Sequence, residues 1–211
     1  MANHVHSVIK IKPSNDEGIA KLKEIVSRLS DNNSTPNFGE LFTIENDDSP
    51  SIENIEDYIW SEQNVGPKWC YIDEFEYYNG ELKMVCVSAW IPPEIGLTNL
   101  LKEVSEVDPK VVTTIMYDDE MPNFWGAYVY QGSELIDGRE DSEEDIAYFF
   151  NQDYPEIAKY WNSEEQDWYV DENGNITSDA YKAKKEYEEE IWGWITDKQL
   201  ETINDIVLEL D

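Results

Sequence analysis

The chain has 211 residues and a formal net charge of −32, and 8 Trp, 13 Tyr and 6 Phe supply much of its apolar area. A chain of this length can bury roughly 70% of its unfolded surface, so a folded core is expected despite the charge. That charge repels phosphate backbones and anionic lipid, which argues against direct binding to nucleic acid or membrane and favours a basic partner.

The acidity is uneven. Residues 1–106 carry 19 acidic and 8 basic side chains, whereas residues 107–211 carry 28 and 7. Two cysteines, Cys70 and Cys86, cannot form a disulfide framework and read as reduced packing residues. With no charged-then-apolar leader and no apolar run near the ~20 residues that span a bilayer, the expected compartment is a cytoplasm.

The opening VHSVIKIK alternates as a strand, with Val5, Ser7, Ile9 and Ile11 on one face and His4, His6, Val8 and Lys10 on the other. After PSND, a helix-start signal, Ile19, Leu22, Ile25, Val26 and Leu29 fall at helical spacing. Residues 31–59 carry Pro36, Pro50 and no basic residue, and read as a long inserted loop with one short helix at SIENIEDYIW. WCYIDEFEYY and ELKMVCVSAW then flank Asn79-Gly80, the strongest short hairpin signal a sequence carries.

IPPEIGLTNLLKEVSEVDP predicts a helix from about Pro92-Pro93 to Asp108-Pro109, with Ile95, Leu97, Leu100, Leu101 and Val104 as its apolar members. VVTTIMYDDEMPNFWGAYVYQGSEL supplies two more strands around a DDEMPN turn. The order β-α-β-β-α-β-β predicts an α+β fold with the split β-α-β, ferredoxin-like antiparallel sheet over residues 1–136. Residues 137–211 read as an acidic, helix-rich C-terminal extension. It would hold a helical stretch from Asp137, a hairpin at Asn173-Gly174, and two helices near 179–193 and 196–209.

Four stretches carry a family likeness: MANHV at the start, NVGPKW at 64–69, SAWIPP at 88–93 and FWGAYVY at 124–130. Together they resemble the YubB-like family of ferredoxin-like proteins, carried by plasmids and bacteriophages and mostly of unknown function. Where that family tends to have Asn-Trp-Gly-Thr-Lys-Trp, this chain has Asn64, Val65, Gly66, Pro67, Lys68 and Trp69. The resemblance implies a ferredoxin-like fold and a mobile-element origin, and it carries no catalytic residues over.

Chemical motifs are sparse. Trp60, Trp69, Trp90 and Trp125 are expected to cluster as corner packing on the sheet, or to line a ligand or peptide pocket with Lys68 as its polar anchor. His4 and His6 lie at i, i+2 on one strand face, the spacing of a two-His metal site, and are weak candidates for metal or acid-base work. DENGNITSDAY places Asp171, Asn173 and Asn175 at alternate positions, but Ile176 stands where a calcium loop needs Gly and Lys182 where it needs Glu. A hairpin turn is the better reading. No phosphate loop, nucleophile elbow, paired Cys-x-x-Cys or other cofactor signature is present.

The carboxylates remain. Residues 118–156 hold 12 acidic side chains against Arg139 alone, and EYEEE follows at 186–190. The expected partner-binding face comprises Asp118, Asp119, Glu120, Glu140, Asp141, Glu143, Glu144, Asp145, Glu188, Glu189 and Glu190. A sphere of this mass is about 44 Å across, and duplex DNA of that length carries on the order of 26 phosphates. The magnitudes are similar, but one face would hold only about half of the 32 net charges, so the expectation is a mimic weaker than the total suggests, binding a basic, nucleic-acid-binding host protein as an anti-defence factor would. A solvated acidic surface is the plainer alternative.

Overall fold

The computed structural model describes residues 3–29, 35–41, 58–162, 167–168 and 175–210. Strand β1, His4–Lys12, buries Val5, Ser7, Ile9 and Ile11, as its alternation predicts. Helix α1, Asp16–Val26, starts where the Asn15 side chain accepts a hydrogen bond from the Gly18 amide, and it buries Leu22 and Ile25. After a 3-10 turn at Phe38–Leu41 comes the short helix α2, Tyr58–Asn64; the earlier part of SIENIEDYIW lies outside the described residues.

β2, Cys70–Tyr78, and β3, Glu81–Ala89, pair through a turn in which Asn79 (φ 52°) and Gly80 (φ 86°) are both left-handed, as a two-residue hairpin requires. α3, Glu94–Ser105, buries Leu97, Leu100, Leu101 and Val104. β4, Val112–Asp119, β5, Phe124–Gln131, and β6, Glu134–Ser142, then run as a meander. The six strands form one antiparallel sheet in the order β2-β3-β1-β4-β5-β6.

β6 corrects the sequence reading, which began a helix at Asp137. An outer strand with an almost fully exposed face shows no alternation, so GREDS read as acidic helix or loop. Its turn passes through Gly132 in the left-handed region (φ 60°). The helix starts later, as α4 at Glu143–Asp153, where Ser142 and Asp145 form a reciprocal capping box.

A four-residue helix, α5, Pro155–Ala158, and a short pair, β7 at Trp161–Asn162 with β8 at Asp167–Trp168, lead on; the expected hairpin turn at Asn173-Gly174 lies outside the described residues. The two C-terminal helices are one, α6, Ser178–Leu208. The break expected between 193 and 196 is absent, and Thr196 within it donates its hydroxyl to the Trp192 carbonyl one turn back.

The apolar residues divide into two clusters. On one side of the sheet Ile9, Ile11, Ile72, Met84, Ile115 and Tyr117 pack with α1 and α3. On the other, Trp125 and Ala127 of β5 pack with Ile146 and Phe150 of α4 and Ile191, Trp194 and Ile195 of α6. The C-terminal helix therefore covers the β5 end of the sheet. Among the described residues no helix is long and apolar enough to cross a membrane.

Candidate functional site

The expected acidic face separates into internal and outward carboxylates. Asp119 is buried and accepts from Asn3 Nδ2 at 2.5 Å, Asn123 Nδ2 at 2.6 Å and the Asn123 amide at 3.1 Å, closing the β4–β5 turn. Asp141 is 5% exposed and takes a bidentate pair from Arg139 at 2.8 and 2.6 Å. The Arg139 guanidinium is also held between the rings of Trp125 and Phe149, at 5.3 and 5.0 Å. Asp118 lies between strand and helix. Burial raises its pKa, against the pull of His6, its cross-strand partner, and of Gln199. Asp145 caps α4, with its pKa lowered by Ser142.

Besides the exposed cap Asp145, six carboxylates stay outward. Glu120, Glu143 and Glu188 come from three separate segments and converge on one cavity of about 490 Å³, with Asn151, Lys184, Tyr187, Ile191 and Trp192 in its wall. Glu144, Glu189 and Glu190 are exposed beside them in sequence. Burial, with Glu143 nearby, raises the pKa of the Tyr187 phenol. Ile146 and Phe150 are buried on α4, and Ile191 on α6.

Glu140 belongs elsewhere. Gly126 and Gly138 leave no Cβ above the sheet, so the rings of Tyr117 and Tyr128 lie across them. Both hydroxyls donate to Glu140 Oε2, at 2.5 and 3.1 Å. This carboxylate lines a second groove, of about 390 Å³, with Trp90, Glu94, Ile95, Tyr117 and Phe124. Burial first, and Glu140 second, push the Glu94 carboxyl above its ordinary range. Burial and the bond to Glu140 put the Tyr117 phenol far above its ordinary value.

The expected tryptophan cluster is divided by strand parity and by the turn after β3. Trp125 is fully buried against α6, because it stands opposite Asp118 on the face that also carries His6. Trp60 packs on the cluster under α1 and α3. Trp69 stacks on Tyr71 at 5.7 Å and meets His4 edge-on at 5.5 Å. Trp90, half exposed, holds a left-handed backbone (φ 65°) with Lys68 Nζ 6.0 Å from its ring. Lys68 thus lies beside Trp90, while Trp125 belongs to the cluster on the other side of the sheet.

His4 and His6 do share a sheet face. His4 Nδ1 lies 3.3 Å from Glu120 Oε2, and the two residues are also joined by the Glu120 amide donating to the His4 carbonyl at 2.8 Å. Among the described residues no group of three or more His, Cys, Asp or Glu side chains is arranged to hold a metal ion. Cys70 and Cys86 are buried and free, and not directly opposed, since Cys86 faces Ile72.

Sequence reasoning missed Glu94, Tyr117, Phe124 and Tyr128. Their groove is assembled from the β3–α3 connection and β4, β5 and β6, and it exists only once β6 is a strand. A cue was present in the glycines of FWGAYVY and DGRE, which mark close approach by a neighbouring ring.

Searches with this chain of family models, curated proteins and solved structures found no match.

Proposed function

We propose that this chain is a non-enzymatic accessory protein of a phage or other mobile element that binds a basic host protein, one whose own ligand is nucleic acid. The observation that carries the reading is the convergence of Glu120, Glu143 and Glu188 from three segments, with Glu144, Glu189 and Glu190 beside them. An outward patch with six carboxylates and Lys184 as the cation in its cavity wall is net negative, which focuses attraction on a cationic partner and raises its encounter rate. The fold we propose is ferredoxin-like, supported by the order β2-β3-β1-β4 with both α1 and α3 in the cluster on one side of that sheet. The mobile-element origin rests on the resemblance of NVGPKW, SAWIPP and FWGAYVY to the YubB-like family.

Magnitudes shape the mimicry. Helix α6 is 31 residues long, hence about 46 Å, and duplex DNA of that length carries on the order of 27 phosphates. The helix itself has eight acidic and four basic residues, a net −4. The decoy is therefore a local patch that competes for one basic groove, and the helix is no surrogate for a length of duplex.

The test is displacement. The protein should release fluorescent duplex DNA from a bacterial nucleoid protein, less effectively as salt rises, because exposed charges are screened. The Lys variant of Glu143, Glu144, Glu188 and Glu189 should lose the effect. Asp145 is left in place because it caps α4. Displacement indifferent to salt, or retained by that variant, would sink the reading.

A further inference from the structure

The groove at Glu94 and Glu140 lies on the side of the sheet opposite α6, because Tyr117 belongs to the cluster under α1 and α3. Three aromatic side chains, Trp90, Tyr117 and Phe124, line it together with Ile95. Its two charged members are both carboxylates, and Glu94 is half-buried.

We propose that this groove is a binding site for an organic cation, an ammonium or guanidinium group carried on an apolar stem. Aromatic faces attract cations, and carboxylates complete such a cage with charge-assisted hydrogen bonds. The protein already sets one cation beside the ring, since Lys68 Nζ lies 6.0 Å from the Trp90 centroid. Glu140 is held in place by the Tyr117 and Tyr128 hydroxyls on Oε2, and Oε1 takes no part in those two bonds.

Other ligand classes fit less well. An anion meets two carboxylates and a chain of net charge −32. A hard metal ion would make no use of the Trp90, Phe124 and Ile95 wall. A neutral polyol would leave the repulsion between Glu94 and Glu140 uncompensated, and that repulsion, with burial, is what lifts the Glu94 carboxyl. A cation relieves it. The volume of about 390 Å³ suits a short-chain amine or guanidine, or one basic side chain.

The inference is independent of the acidic patch, which is built on the other side of the sheet. The experiment titrates the full chain with n-butylguanidinium and, separately, with the neutral isostere n-butylurea, following the indole resonance of Trp90. We expect a saturable shift with the cation and none with the urea. Glu94→Gln and Glu140→Gln, each of which preserves side-chain shape, should weaken binding about tenfold or more. Lys68→Met should tighten it by removing an internal competitor. Glu189→Gln, on α6, should leave it unchanged. Equal responses to the two probes, no saturable shift, or unchanged affinity in both glutamine variants would overturn the site. None of these results bears on displacement of DNA by the patch, so the two readings fail separately.

Discussion

Gln199 of α6 donates its side-chain amide to the carbonyl of Tyr117 in β4 at 2.9 Å, with both residues buried. The same nitrogen lies 3.5 Å from the Gly126 carbonyl of β5, so one side chain pins the long helix to two adjacent strands. Replacing Gln199 with Leu removes the donor from a dry site, which costs about 1–3 kcal/mol. The urea midpoint should fall, and amide exchange in α6 should quicken more than in α3. Exchange that quickened equally everywhere would show that α6 opens only with the whole fold.

Gly126 is required by Tyr117. A Cβ at Gly126 would collide with the Tyr117 ring, and one at Gly138 with that of Tyr128. Overpacking of this kind costs about 1–3 kcal/mol. Gly126→Ala should lower thermal stability by that amount and also weaken n-butylguanidinium binding, because the displaced ring carries the hydroxyl that holds Glu140. Stability loss without any change in the groove would separate the two roles.

Glu94 should make stability depend on pH. Burial and Glu140 raise its pKa above the ordinary 4.5, so between these two values the native state holds more protons than the unfolded chain. Stability therefore falls as pH rises through that window and stays lower above it. Glu94→Gln should be more stable than the parent at pH 7, by less than about 1 kcal/mol because solvent screens a half-exposed group. The advantage should vanish below pH 4.5. An advantage that persisted at pH 3.5 would mean that packing, not charge, is responsible.

Cys70 is completely buried, and burial, reinforced by Cys86, pushes its thiol well above the ordinary range. Thiolate, not thiol, reacts with alkylating agents. Labelling of the native protein should be slower than in urea by a factor on the order of a hundred or more, following rare opening of the β2–β3 hairpin. Rapid labelling at neutral pH would place that hairpin among the loosely held elements.

The sequence was most legible where one face of an element is buried and the other wet. β1 alternates without error, Asn79-Gly80 marks its hairpin, and α3 shows its apolar stripe because its other side meets solvent. It was least legible at β6, where Glu134 to Asp137 are all exposed and no period survives. α6 read as two helices parted near 193–196, whereas burial of Trp194, Ile195 and Gln199 carries one helix through that point. Of the acidic residues, composition could not tell exposed Glu143 from buried Asp119, held by Asn3 and Asn123, or buried Asp141, held by Arg139 of its own strand.

Both margins of the sheet are irregular. In β2 the register shifts at Asp73, and in β6 it shifts at Ile136, so each outermost strand carries one residue that its neighbour does not match. Asp73, Glu74 and Glu76 line the first margin, and Glu134, Asp137, Glu140 and Asp141 the second. A second copy arriving edge to edge would meet a kinked ladder at either margin, with exposed carboxylates such as Glu74 and Glu134 beside it. Each outermost strand thus carries a bulge that disfavours continuation of the sheet into a neighbouring molecule.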